Sequence, residues 1–362
     1  VHGATLSGIA AQNLEGSSGI ESRTLASRMY YWDKGEEGLT KKDILVIDEA
    51  GMIGSRQMAK LLGEAERGGA KVVLIGDTEQ LQAIEAGAAF RAIAERVGTV
   101  ELTDIRRQQQ DWQKEATKEL ATGKTLEAIS RYQQHDHVHE HKTTAEAKQS
   151  LIELWNDARL ANPTDTQIML AYTREAAKDL NQMARELRRT NGELGQDQPV
   201  MTVRGERSMA EGDRIYFLKN DRGLGVMNGT LGTIEKIDGK EIKVRLDRNE
   251  QTPDARERKV KVHVEHYNHI EHGYAATIHK GQGVTVDRSY VLASPYLDRH
   301  ATYVAMTRHR ESVDLFYGRD QFTTEKSLVD TLSRERQKDM ALDYQGEYAR
   351  HRGMELLDKP PS

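Results

Sequence analysis

Two short acidic turns carry the residues of this sequence best suited to chemistry. Asp48 and Glu49 close the stretch Asp43-Ile-Leu-Val-Ile-Asp-Glu-Ala-Gly51, and Asp77 and Gln80 close Lys71-Val-Val-Leu-Ile-Gly-Asp-Thr-Glu-Gln-Leu-Gln82. Runs of four or five β-branched and aliphatic residues, bounded by Gly and charge and separated by a helical segment, predict strands of a parallel sheet buried on both faces. Ligands of such open sheets sit beyond the carboxyl ends of the strands. Asp48, Glu49, Asp77 and Gln80 are therefore expected on one rim. A carboxylate pair there can hold the water shell of Mg²⁺ and take a proton from an attacking water, as nucleoside triphosphate hydrolysis requires. Acids at strand ends also cap following helices. For one strand alone the two readings are even; two such strands in succession favour the nucleotide site.

Further candidates lie elsewhere. Gly273-Tyr-Ala-Ala-Thr-Ile-His-Lys-Gly-Gln-Gly-Val-Thr285 offers Thr277, His279 and Lys280 as donors for phosphates or bases. Its Gly281 and Gly283 permit close backbone approach. Thr5 and Ser7 sit in a strand-to-helix turn and Thr24 opens a second helix, where hydroxyls either cap the helix or meet phosphate oxygens. Arg106-Arg107, taken alone, is a solvated surface pair, and Arg308 an unremarkable helix-end residue. Four histidines between His135 and His141 invite a metal. Their alternation with Asp136, Val138 and Glu140 instead suggests an exposed strand or loop, without the i, i+4 pair of a helical site.

The elements that must position these groups follow the same logic. In residues 52–67, Met58, Leu61, Leu62 and Ala65 form one helical face that Gly68-Gly69 ends. Residues 81–96 read as a loop and a helix containing Phe90, and Val100 to Gln108 as a short strand leading into the paired arginines. Residues 109–162 are helical and polar. A strand at 166–173 and a helix at 174–189 begin a second α/β unit, which resumes at 273 with strands at 288–292 and 312–317. Between them, from about 200 to 265, the period changes to two with glycine turns, as in a small β-barrel. A loop at 220–228 there could steer a nucleic-acid strand.

Composition sets the class. A chain of 362 residues accommodates two or three domains. With 37% hydrophobic and 30% charged residues it is a globular chain with charged helical surfaces. A net charge of −5 and a pI near 6.3 argue against a general basic coat but leave room for a local basic groove. The absence of cysteine excludes disulfides and Cys-ligated metal centres and suits the reducing cytoplasm, the expected location. No run approaches the ~20 apolar residues that span a bilayer, so membrane insertion is not expected.

Asp48-Glu49-Ala50-Gly51 and Gly76-Asp77-Thr78-Glu79-Gln80-Leu81 resemble the second and third signature motifs of superfamily 1 helicases, in the RecD-like branch. The string from Ala275 to Thr285 looks like the fifth motif, Tyr303-Val-Ala-Met-Thr-Arg308 like the sixth, and Arg107-Gln108 like the segment that supplies an arginine to the γ-phosphate. Gly19-Ile-Glu-Ser-Arg-Thr24, Asp48-Glu-Ala-Gly-Met52 and Gln82-Ala-Ile-Glu-Ala-Gly-Ala-Ala-Phe-Arg91 look most like the helicase half of TraA-type conjugative relaxases. The resemblance covers about residues 1–320. It implies an α/β architecture of two RecA-like parallel-sheet domains: the first, incomplete, at 1–105; the second at 106–199 and 266–320; an SH3-like β-barrel inserted at 200–265; and a charged helical tail or linker at 321–362.

The same resemblance implies roles. Glu49 would orient or deprotonate the attacking water, Asp48 would serve Mg²⁺, Gln80 would sense the γ-phosphate, and Arg107 and Arg308 would stabilise the transferring phosphoryl charge. Asp77, Gly281 and Gly283 would meet ATP. Thr5, Ser7, Thr24, Thr277, His279 and Lys280 would contact single-stranded DNA, and further conjugative-transfer proteins would be partners. One departure is central: no Gly-x-x-x-x-Gly-Lys-Ser/Thr phosphate loop occurs in the 362 residues. The expectation is a helicase fragment that begins after that loop and hydrolyses ATP poorly alone, its parent translocating 5′-to-3′ on single strands. The nicking half of such relaxases is not visible. Two other readings stand: a DNA-binding or docking module without ATPase activity, and a nucleotide hydrolase unrelated to nucleic acid.

Overall fold

The computed structural model describes residues 1–80, 89–102, 104–221, 223–247, 258–282 and 284–335. Two compact units divide the chain, one formed by Val1–Leu6 and Ile20–Thr103, the other by Ser7–Gly19 and Asp104–Glu335.

In the first unit, β1 (His2–Thr5) leads by sequence into α1 (Gly8–Ser18), which belongs to the second unit. After β2 (Ser22–Thr24) and α2 (Leu25–Asp33) come β3 (Ile44–Ile47), a 3-10 turn at Ala50–Met52, α3 (Ser55–Gly68), β4 (Lys71–Leu74) and α4 (Ala89–Val97). The strands form one parallel sheet in the order β2-β1-β3-β4. Leu45, Val46 and Ile47 are buried, as the uninterrupted apolar run requires. Helix α3 buries Met58, Leu61 and Ala65, with Leu62 half-buried, and stops where Gly69 turns left-handed at φ 67°.

The expected strand at Val100 to Gln108 does not form among the described residues. Val100 and Leu102 are at least nine-tenths exposed. Strand-forming side chains specify a strand only beside a partner, and β4, at the sheet's edge, pairs with β3 alone.

The second unit begins with α5 (Asp111–Ala121), α6 (Thr125–Gln134), β5 (Val138–His141), α7 (Thr144–Ala161), β6 (Gln167–Ala171) and α8 (Arg174–Thr190). The hairpin β7 (Gln198–Thr202) and β8 (Gly205–Met209) follows, then β9 (Arg214–Phe217), β10 (Leu231–Asp238), β11 (Glu241–Leu246), β12 (Lys259–His263) and β13 (Ile270–His272). The chain returns through β14 (Ala275–Thr277), β15 (Val286–Leu292), α9 (Arg299–Met306) and β16 (His309–Gly318) to α10 (Glu325–Leu332). A five-stranded parallel sheet, β14-β6-β15-β16-β5, is thus assembled from both sides of the insertion. The inserted strands make a five-stranded antiparallel sheet, β12-β11-β10-β9-β13, beside the separate β7-β8 hairpin, over a core of their own that includes Ile215, Phe217, Val244 and Val262. Residues 325–332 are packed structure, since α10 buries Leu328, Val329 and Leu332; the remainder of the expected tail, 336–362, lies outside the described residues. Among the described residues no helix is long and apolar enough to cross a membrane.

Candidate functional site

In the first unit the carboxyl ends of three adjacent strands meet. The Asp48 amide donates to the Ala4 carbonyl at 3.0 Å, the Ile75 amide to Ile47 at 2.8 Å, and the Ala50 amide to Ile75 at 2.8 Å. Glycine makes this closeness possible: a Cβ on Gly76 would lie 3.0 Å from the Gly51 nitrogen and 3.1 Å from Phe90. Asp48, Glu49, Asp77 and Gln80 therefore sit on two turns packed against one another. Asp77 organises the second turn, accepting the Glu79 amide at 2.9 Å and the Gln80 side-chain amide at 3.2 Å. The Gln80 Oε1 is buried and without a hydrogen-bond partner among the described residues, as suits an acceptor awaiting a ligand.

The capping alternative does not describe these acids. Glu49 precedes the 3-10 turn yet makes no side-chain cap bond, and Gly54 occupies the N-cap of α3. Asp48 accepts the Glu49 amide at 2.9 Å. Burial pushes the Asp48 carboxyl above its ordinary value, an effect the Glu49 amide only partly opposes. Glu49 itself is held at φ 55°, ψ 37°, in the left-handed region that non-glycine residues rarely adopt. A desolvated carboxylate with one oxygen engaged locally fits Mg²⁺, which takes one or two protein carboxylates and fills its shell with water and phosphate oxygens. No group of three or more His, Cys, Asp or Glu that could hold a metal occurs among the described residues.

The two candidate arginines lie in the second unit and converge on one residue. Arg107 donates from Nε to the Thr285 hydroxyl at 3.0 Å and from Nη1 to the Thr307 carbonyl at 2.7 Å. Gln108 donates to the Thr307 and His309 carbonyls at 3.3 and 3.1 Å. Arg308 departs from the expected outward finger. Only 2% exposed, it donates from Nε to the Val304 carbonyl at 3.0 Å and from Nη2 to the Thr307 hydroxyl at 3.1 Å. The C-terminal turn of α9 thus holds the guanidinium through the Val304 carbonyl, which also accepts the Thr307 amide.

Thr277, His279 and Lys280 stand at the carboxyl end of β14, which pairs Thr277 with Ala171 at the end of β6. The Ile278 amide continues the ladder to Ala171 at 2.9 Å, and the chain then turns tightly, Lys280 and Gly281 amides both reaching Thr277. His279 is exposed, its ring edge-on to Tyr172 at 5.7 Å, and Tyr172 stacks on Tyr296 at 6.2 Å. Burial lowers the His279 pKa against the pull of Asp298. Lys280 Nζ lies 5.1 Å from the centre of the Tyr216 ring. A Cβ on Gly281 would come within 2.9 Å of Leu170, so close packing against β6 itself requires glycine here. Gly283 lies outside the described residues, as do positions 81–88 of the sequence resemblance.

The three N-terminal hydroxyl candidates have structural tasks. Ser7 caps α1 by accepting the Ala10 amide at 3.2 Å, and Thr24 caps α2 by accepting the Ser27 amide at 3.3 Å. Thr5 pairs with Thr24 in the sheet and is fully buried, so its hydroxyl meets no solvent-borne strand. The histidine cluster proves to be strand β5 and its approach. His137 and His139 share the buried carboxylate Asp314 at 3.0 and 2.9 Å, and His135 stacks on Trp112 at 4.0 Å. Asp314 lies far along the chain, so local sequence carries no signal of it. Tyr172 escaped notice although it lies within the strand read at 166–173, just past the end of β6; Tyr296 has no sequence signal at all.

Two acidic turns thus stand on the rim of one parallel sheet, and a Thr-x-His-Lys turn on the rim of another. Comparison with known proteins identifies the class. An AAA-domain family model matches residues 1–143. The chain is 45% identical to the conjugal transfer protein TraA of Rhizobium radiobacter over 95% of its own length and 31% of that protein's. It is 28% identical to the ATP-dependent RecD2 DNA helicase of Deinococcus radiodurans over 74% of the chain and 35% of that protein. In fold it resembles a crystal structure of the Pif1 helicase from Bacteroides in complex with ADP-AlF3 and ssDNA, with TM-score 0.56 and 18% identity, covering 97% of this chain and 87% of that one. The chain belongs to the TraA-type, RecD-like superfamily 1 helicases and spans about a third of the length of the TraA relative it matches.

Proposed function

We propose that this chain is the helicase part of a conjugative DNA-transfer protein, in which ATP hydrolysis drives 5′-to-3′ translocation on single-stranded DNA and unwinding of the duplex ahead. The observation that carries the reading is the convergence of the Asp48-Glu49 and Gly76-Gln80 turns, with a left-handed glutamate that caps nothing. Glu49 accepts the proton of the attacking water, and the unpaired Gln80 oxygen aligns that water or senses the γ-phosphate. Asp48 would hold Mg²⁺, which would neutralise phosphate charge, and Asp77 would meet the bound nucleotide. Arg107 stabilises the charge of the transferring phosphoryl group, while Arg308, buried as it is, acts by holding the Thr307 turn on which Arg107 rests.

His279, with Tyr172 and Tyr296 behind it, offers a stacking surface for bases, and Thr277 and Lys280 offer donors for the backbone. The inserted antiparallel strands take the place of the SH3-like barrel of RecD-like relatives. Other conjugative-transfer proteins are the proposed partners, and the cytoplasm, which a chain without cysteine suits, is the proposed location.

A second reading has its own observation. The 362 residues contain no Gly-x-x-x-x-Gly-Lys-Ser/Thr loop, so the chain by itself is a single-strand-binding or docking module with feeble ATPase activity. One experiment separates the two: ATP turnover, with and without single-stranded DNA, by this chain and by a longer chain carrying such a loop ahead of residue 1. Strong DNA-stimulated turnover in the longer chain supports the motor. No turnover in either, with strand binding retained, establishes the binding module.

A further inference from the structure

A hollow of about 550 Å³ opens in the second unit between the first half of α8, the turn joining β7 to β8, and the segment from Glu271 to Lys280. Six basic side chains line it against three acidic ones, so its sign is positive although the chain as a whole is negative. The distribution of ion pairs sharpens this. Arg207 is spent on Glu271 at 2.8 Å, and Arg185 on the buried Asp213 at 3.0 Å. Arg174, Arg204 and Lys280 form no ion pair among the described residues. They are close enough to feel one another: burial, then Arg204, then Arg174, push the Lys280 ammonium down to about 8, with Glu271 opposing. The Lys280 ammonium lies over the Tyr216 ring, while Arg174 and Arg204 are exposed at the mouth. Three unpaired cations held together repel more than Glu271 alone offsets, and an anion among them reduces that cost.

The geometry points to a binding site for a phosphate group in this hollow, held by Arg174, Arg204 and Lys280. Two guanidinium forks and an ammonium approaching from different elements match a tetrahedral anion with several acceptor oxygens better than a planar carboxylate. Thr277 lines the same hollow and could donate from its hydroxyl. The phosphate has two possible sources: a phosphodiester of the single strand, in which case the inference rests on the function proposed above, or a free phosphate or pyrophosphate, in which case it does not.

The test uses the whole chain in two arms. In the first, a fluorescein-labelled oligothymidylate is titrated by anisotropy at several salt concentrations. Arg204→Ala should weaken binding several-fold and reduce the slope of log affinity against log salt by about 0.7, and Arg174→Ala with Arg204→Ala by about twice that. Arg204→Lys should keep most of the slope. In the second arm, inorganic phosphate and pyrophosphate are compared with chloride at equal ionic strength by thermal shift, in the parent chain and the double variant, with circular dichroism confirming that both are folded.

A slope change in the first arm assigns the site to the strand. Stabilisation by phosphate alone, lost in the double variant, assigns it to a free anion and survives even if no strand binds. Strand binding that neither variant alters, together with no phosphate effect, overturns the site while leaving the strand-binding reading intact. Failure of both strand binding and phosphate stabilisation overturns both.

Discussion

Glu49 stands in the left-handed region at a position where glycine would be at ease, and such a conformation costs a non-glycine residue about 1–2 kcal/mol. A chain that keeps a glutamate there is using the carboxylate. Glu49→Gly should therefore melt at or slightly above the parent temperature, because the relieved strain offsets the added freedom of glycine in the unfolded chain. A fall of several degrees would make the side chain structural instead. In a chain carrying a phosphate loop, Glu49→Gln should lower DNA-stimulated ATP turnover by about 10²–10⁴-fold, the usual worth of a positioned general base. The pair Asp48-Glu49 was legible because both residues follow a run that could only be a buried strand. The inward placement of Arg308 was not legible for an equally local reason: a helix-end arginine can turn outward or back onto its own carbonyls, and sequence does not choose between them. Lys280 offers a pH test. It is charged below about 8, so strand affinity should fall as pH rises from 7 to 9, and Lys280→Arg, charged throughout, should flatten that profile in an anisotropy titration.

At the scale of elements, both parallel sheets followed from apolar runs of strand length, and the change to a period of two marked where the antiparallel insertion begins. The pattern led to the expectation of a small barrel, whereas the described strands pair in the order β12-β11-β10-β9-β13, because pairing depends on partners that pattern alone does not name. The segment from Val100 to Gln108 failed as a strand for the same reason, and Gln108 and Gln109 are anchored instead on the start of β16. That start is also acid-sensitive. His309, fully buried and facing Tyr132 edge-on at 6.4 Å, is pushed down to about 3 by burial, then by Arg107 and His137, against the pull of Asp314. The unfolded chain binds a proton at this histidine near pH 6.5 and the folded chain does not until about 3. Between those values the unfolded state holds more protons, so stability should decline as pH falls from 6.5 toward 3. His309→Phe, which keeps the ring and removes the titration, should flatten the decline in urea melts monitored across that range. An unchanged slope would place the acid sensitivity elsewhere, with Asp314 the next residue to substitute.

For the molecule as a whole, the acids proposed to activate water and the groups proposed to bind the strand lie in different units, with Arg107 and Arg308 serving the first task from the second unit. The proposed water-activating acids and Gln80 are in the first unit, while the Thr277 to Lys280 turn, its tyrosines and the cations of the hollow are in the second. If each set does the task proposed for it, hydrolysis and strand binding are separable by substitution. In the chain that carries a phosphate loop, Glu49→Gln should abolish turnover while leaving single-strand affinity within about twofold, since it alters no group of the binding set. Tyr296→Ala exposes the opposite dependence. More than half of that ring is already in solvent, so its loss should cost little stability, yet removing a stacked base contact should weaken strand binding by about 1–3 kcal/mol, roughly fivefold to a hundredfold. ATP turnover without DNA should then be unchanged, and the DNA concentration needed for half-maximal stimulation should rise by the same factor as the dissociation constant. Turnover and affinity falling together in both variants would contradict the division of labour, because it would mean that the strand is gripped only through groups that also handle the nucleotide.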